Sequence, residues 1–143
     1  GKRLPAYSTS LGKALLSSYS LQELASIYKE PLKPVTEKTC KTIEQLYDEC
    51  IHSKSSGYFQ ESGEISPDLS CFAVPIHHNG KIIAAVSVSI PTFRLTKEKK
   101  EIVVNALLTG QNVLERNLQR LGISDSNLFL DSFVSQIPNI SNY

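Results

Sequence analysis

The sequence is short of most features that would announce a function outright. Its formal net charge is +1 and charged residues make up only 20% of 143. It therefore offers neither a basic surface for nucleic acid nor an acidic store for cations. Apolar residues reach 41% but form no long run, which excludes a membrane-spanning helix and implies a soluble protein. The opening "GKRLPAYSTS" lacks an apolar segment of the secretory kind. Cys40, Cys50 and Cys71 are odd in number and show no CxxC spacing, so neither a zinc site nor a disulfide framework is indicated. Reduced thiols fit a cytoplasmic protein, and nothing implies a cofactor. There are no repeats and no low-complexity linker. No initiator methionine opens the chain, which reads as a piece of something longer, and one core can form without staples at this length.

What is present reads as helices around a small sheet. Ser8 to Tyr19 is expected to be a helix with Leu11, Ala14, Leu15 and Tyr19 near one face. Ser20 with Glu23 forms a capping box that opens a second helix, ended by "EPLKP". Thr42 with Gln45 forms another, opening a helix with Ile43, Leu46, Tyr47, Cys50 and Ile51 on one stripe, stopped at Gly57. The period then changes. "GYFQE" reads as a strand, "SGEISPD" as a loop, and "SCFAVPIHHNGKIIAAVSVSIP" as a hairpin turning at Asn79-Gly80. Thr96 caps a long helix carrying Val103, Leu107, Leu114, Leu118 and Leu121, with Gly122 at its end. Residues 123–143 are expected to add a short amphipathic helix and a frayed tail. The class is α+β with an antiparallel sheet. Three strands are few for four helices, so further strands are expected upstream of Gly1 or from another chain.

Four groups of residues invite a chemical reading. Gly12-Lys13 is not a phosphate loop, because Ala14 follows the lysine and Tyr7 stands where the first glycine belongs. The helix start still offers free N–H groups to an anion. Ser87 and Ser89 share one face of a strand while Val86, Val88 and Ile90 point the other way. The two hydroxyls either meet a ligand or decorate a half-exposed sheet. Cys71 has no local histidine partner of catalytic pattern, and His77 and His78 before the turn are expected to be solvated. Glu61 and Glu64 are the only close acid pair of the strand-loop region, and solvation is the ordinary expectation for them too.

Three stretches in order resemble the effector-binding domain of IclR-type bacterial transcriptional regulators. They are "GKRLPAYSTSLGKALLS", "GYFQESGEISPDLSCFAVPI" and "GKIIAAVSVSIPTFRLT", the last ahead of a long helix closing in "LG". The resemblance covers residues 1–122 and leaves 123–143 outside. It implies a GAF-like or profilin-like fold whose first strands are missing here, and a pocket for a small organic acid such as a sugar, keto or aromatic acid. It also implies homodimers and homotetramers, with DNA contacted only through an absent N-terminal winged helix-turn-helix.

Carried over by position, the resemblance implies ligand contacts at Ser10, Leu11, Glu61, Leu69, Cys71, Ser87 and Ser89. The carboxylate would meet the helix start at Ser10 and Leu11, and Glu61 would accept from a hydroxyl at the far end, since like charges repel in a partly dry site. The chain departs from the pattern where Glu61 replaces the usual aspartate, where Gly63 and Glu64 replace two acids, and where Asp68 replaces a glycine. The other readings are a thiol enzyme using Cys71 and an assembly module without ligand.

Overall fold

The computed structural model describes residues 3–124. The order is a 3-10 turn (Ala6–Ser8), α1 (Ser10–Leu16), α2 (Leu21–Ile27), α3 (Ile43–Ser56), β1 (Phe59–Ser62), β2 (Leu69–His78), β3 (Lys81–Pro91), a second 3-10 turn (Thr92–Arg94) and α4 (Lys97–Arg120). This is an α+β arrangement built on a three-stranded antiparallel sheet in the order β1-β2-β3.

Local sequence explains most of these boundaries. Ser20 and Thr42 both cap through their hydroxyls, with Glu23 and Gln45 reaching back as reciprocal partners. Thr96 caps α4 alone, by accepting from Lys99 N–H at 3.2 Å. Gly57 closes α3 in the left-handed region at φ 81°. At the hairpin tip Asn79 and Gly80 both take positive φ, 49° and 76°. That pair of angles matches the twist of the flanking strands. One irregularity between Ile76 and His77 shifts the register beyond it, pairing Ile76 with Ala84 but His77 with Ile82.

The sheet separates two apolar clusters. On one face Phe59 and Ala73 join Tyr7, Ala14, Leu16, Leu24, Leu46 and Cys50 from the turn and helices α1–α3. On the other, Phe72, Val74 and Ile90 pack with Leu107 of α4. The alternation of strand side chains assigns each residue to its cluster.

Several expectations need correction. The first helix is shorter than Ser8 to Tyr19, because Ala6–Ser8 forms a separate turn and Thr9 is the cap. Nor is it amphipathic: Ser10, Gly12, Lys13, Ala14 and Leu16 are all buried while Leu11 and Tyr19 are exposed. Ile51 of α3 and Leu114 and Leu121 of the last helical stretch face solvent. The histidines are not free in solvent. The His77 amide donates to Glu115 Oε1 at 2.8 Å and its Nδ1 lies 2.9 Å from the same oxygen. His78 is buried, with Nε2 2.6 Å from the Ile123 carbonyl. The pair ties the hairpin to the end of α4. The tail helix expected within 123–143 lies outside the described residues, except for Ile123 and Ser124.

Candidate functional site

Helix α1 crosses one face of all three strands, and a cavity of about 380 Å³ lies between them. Strand register supplies its floor. Glu61, Cys71 and Ser89 stand opposite one another across β1, β2 and β3, and Ser87 lies in the next row, opposite Ala73. The helix supplies the roof through Thr9, Ser10, Leu11 and Gly12. All seven residues singled out from the sequence, Ser10, Leu11, Glu61, Leu69, Cys71, Ser87 and Ser89, line this one cavity. Sequence reasoning missed Leu4, Ala6, Thr9, Gly12, Leu15 and Ile65, which line it as well. Thr9 was legible as a cap, since "STS" precedes the helix.

Two polar atoms of the lining are buried and have no hydrogen-bond partner. They are the Ser10 hydroxyl oxygen and Glu61 Oε1, on residues each 1% exposed. Leaving a buried polar group unpaired costs about 1–3 kcal/mol, so two such atoms on residues that line one cavity make it a candidate place for a polar guest. The remaining polar lining is partly engaged. Cys71 Sγ lies 3.2 Å from the Ser89 hydroxyl, and the Thr9 hydroxyl accepts from Gly12 N–H at 2.9 Å. The amides of Ser10 and Leu11 belong to the first turn, where a helix leaves its N–H groups without internal partners.

Glu61 and Glu64 are not solvated, against the sequence expectation. Glu61 Oε2 accepts from the Glu64 amide at 3.0 Å. The Glu64 carboxylate accepts from the Lys13 ammonium at 2.5 Å, and Glu49 accepts from the same ammonium at 2.6 Å. Burial works against the Lys13 charge, but its bonds to Glu49 and Glu64 outweigh this and leave its pKa raised. The Lys13 ammonium thus replaces what a metal would supply to Cys40, Glu49 and Glu64, whose donor atoms cluster within 4.8 Å. Cys40 is poorly suited to ligation in any case, since burial pushes its thiol up to about 11.

Burial also pushes the Cys71 thiol up to about 11, and the neighbouring Glu61 carboxylate, close enough to accept weakly from the thiol, adds to the effect. Glu61 Oε1 nonetheless has no partner at full hydrogen-bond geometry. A catalytic thiol needs the opposite shift, and the enzyme reading loses its nucleophile. Val86 and Val88 are absent from the cavity lining, in keeping with strand alternation, and remain partly exposed on the face toward α4. At 40% and 37% exposure they edge a second, smaller concavity of about 220 Å³ against α4, with Leu107 and Leu114. Among the described residues, no helix is long and apolar enough to cross a membrane.

Comparisons with known proteins bear on the family and the fold. Residues 1–113 match the family model described as bacterial transcriptional regulator IclR C-terminal. The HTH-type transcriptional regulator KdgR of Escherichia coli is 34% identical over 112 residues, covering 77% of this chain and 43% of KdgR. The chain thus spans less than half the length of that relative. The crystal structure of the Agobacterium tumefaciens repressor BlcR superposes with a TM-score of 0.75 at 28% identity, over 82% of this chain and 49% of BlcR. The PobR inducer-binding domain from Acinetobacter, solved as a double mutant with 3-hydroxybenzoic acid, gives 0.69 at 30% identity, over 80% and 67%. An IclR homologue from Microbacterium hydrocarbonoxydans complexed with 4-hydroxybenzoate gives 0.67 at 27%, over 81% and 48%. The chain belongs to the IclR family of bacterial transcriptional regulators, as a C-terminal effector-binding domain.

Proposed function

We propose that the cavity between α1 and the sheet takes a small hydroxylated organic acid and that its occupancy is the signal. The carrying observation is the pair of unpartnered buried atoms, Ser10 Oγ and Glu61 Oε1. One can donate to a carboxylate, and the other can only accept while ionised. A carboxylate placed beside Glu61 would set like charges together in a partly dry site. The acid group therefore goes to the Ser10 hydroxyl and the first amides of α1, and a ligand hydroxyl goes to Glu61. The hydroxybenzoate complexes of two structural neighbours support this class of ligand. Ser87, Ser89 and Cys71 add neutral polar contacts, and Leu11 and Leu69 an apolar edge.

In the full regulator, binding would shift the balance between two arrangements of a homo-oligomer and so control an N-terminal winged helix-turn-helix on DNA in the cytoplasm. The test is Glu61→Gln, read by calorimetry with 3-hydroxybenzoate and benzoate. The variant should lose affinity for the hydroxylated acid by about tenfold, as for a hydrogen bond to a charged group, and keep its affinity for benzoate. Equal loss of both acids would reverse the proposed orientation.

A further inference from the structure

We infer that Lys13 sets ligand selectivity from outside the cavity, as a positioning residue that acts through Glu64 on the carboxylate of Glu61. The inference rests on the ligand reading above.

Lys13 follows Gly12 directly, yet it does not line the cavity. Its side chain is 2% exposed and runs to the flank of α1, where the ammonium meets Glu49 of α3 and Glu64 of the β1–β2 loop. The two acids differ in kind. Glu49 is 45% exposed, so water can replace its partner. Glu64 is 10% exposed and meets Lys13 through Oε1, while its Oε2 has no hydrogen-bond partner, which makes Lys13 the group that neutralises it.

The loop is held at several atoms. Gly63 takes φ 80° and donates its N–H to the Leu69 carbonyl at 2.8 Å. Thr36 donates to the Gly63 carbonyl at 2.6 Å, and Thr39 donates to the Glu64 carbonyl at 2.8 Å. The Glu64 amide, fixed by these contacts, occupies Glu61 Oε2 and leaves Oε1 without a hydrogen-bond partner. Among these ties only the Lys13 bond comes from α1, the helix that carries the Ser10 end of the site. Lys13 therefore ties the loop whose Glu64 amide orients the Glu61 carboxylate of β1 to the helix that carries Ser10. It sets the separation between the two polar ends that a ligand must span.

A purely structural lysine would change stability and leave selectivity alone. The experiment compares wild type, Lys13→Met, and the charge-neutral Lys13→Met/Glu64→Gln, which retains the Glu64 amide and removes the buried unpaired acid if the single variant fails to fold. The first readout is the ratio of dissociation constants for benzoate and 3-hydroxybenzoate. The second is hydrogen exchange at the Glu64 amide, which requires no ligand. Wild type should favour 3-hydroxybenzoate by about tenfold. In the folded Lys13 variants the ratio should fall to within about twofold, with faster Glu64 exchange. In a Glu61→Gln background the same Lys13 change should leave the ratio unaltered, because the route through Glu61 is already cut. A folded variant with the wild-type ratio would overturn the inference, as would an equal fall in the Glu61→Gln background. If wild type binds neither acid, the ligand reading fails by itself, and retained Glu64 protection in the Lys13 variants would then overturn the clamp.

Discussion

Gly12→Ala separates two opposing effects whose sizes are known. In an ordinary helix the change would stabilise by about 1 kcal/mol, since glycine is the poorer helix former. Here an added Cβ would stand 2.1 Å from the Ala6 carbonyl oxygen and 2.5 Å from the Ala6 Cα. Both are backbone atoms, so no side-chain rotation relieves the clash, and the turn must move away by about 1 Å. That turn is not free to move. The Thr9 amide and hydroxyl both donate to the Ala6 carbonyl, at 3.2 and 3.3 Å. Tyr7 is anchored by its hydroxyl on the Lys33 carbonyl at 2.8 Å and by an edge contact with Tyr28 at 5.3 Å. Overpacking against such a frame costs about 1–3 kcal/mol or more, which exceeds the helix gain. A backbone clash puts the cost at the upper end, about 3 kcal/mol, and leaves about 2 kcal/mol net, so the variant should melt roughly 8 °C below wild type, taking about 4 °C per kcal/mol for a domain of this size. Because Ala6, Thr9 and Gly12 all line the cavity, affinity for 3-hydroxybenzoate should fall as well. Thermal unfolding by circular dichroism with calorimetric binding reads both. A variant as stable as wild type, or more so, would refute the close-approach argument.

With thiols at about 11, 12 and 11, Cys40, Cys50 and Cys71 are held protonated by burial at pH 8, so roughly 1% or less is thiolate. Iodoacetamide should label them only on unfolding, and rapid labelling of Cys71 in the native protein would revive the nucleophile reading. The same shifts set a pH trend. An unfolded thiol ionises near 8.5–9 and the native one later, so the native state binds more protons and stability should fall as pH rises from about 9 towards the native pKa values. Denaturant titrations at pH 7 and pH 10 check this, and Cys50→Ala should flatten the decline. Ser87→Ala and Ser89→Ala should each weaken the bound acid by about 1 to 1.5 kcal/mol, the size of a neutral hydrogen bond, with little effect on melting. Unchanged affinity in both would make the hydroxyls surface decoration.

Sequence reasoning reached the features governed by neighbours a few residues apart. Capping at Ser20, Thr42 and Thr96 and the Asn79-Gly80 turn are decided within four residues, and strand alternation placed Ser87 and Ser89 together on one face. What escaped it depends on partners far along the chain. Lys13 meets Glu49 and Glu64 at separations of 36 and 51 residues, and no local pattern tells a paired buried acid from a solvated one. His77 and His78 escaped in the same way, since their partners Glu115 and Ile123 lie 38 and 45 residues on. The burial of most of α1, Leu11 excepted, was hidden because seven residues are too few for a periodicity to distinguish a one-sided helix from a central one.

The central claim concerns where the ends of a bound acid go, and a crystal structure of the domain with 3-hydroxybenzoate tests it most directly. The carboxylate should lie within hydrogen-bond distance of the Ser10 hydroxyl and the first α1 amides, and the ring hydroxyl within hydrogen-bond distance of Glu61 Oε1. A ligand seated instead in the apolar concavity beside Val86 and Val88, or one with its carboxylate against Glu61, would contradict the account.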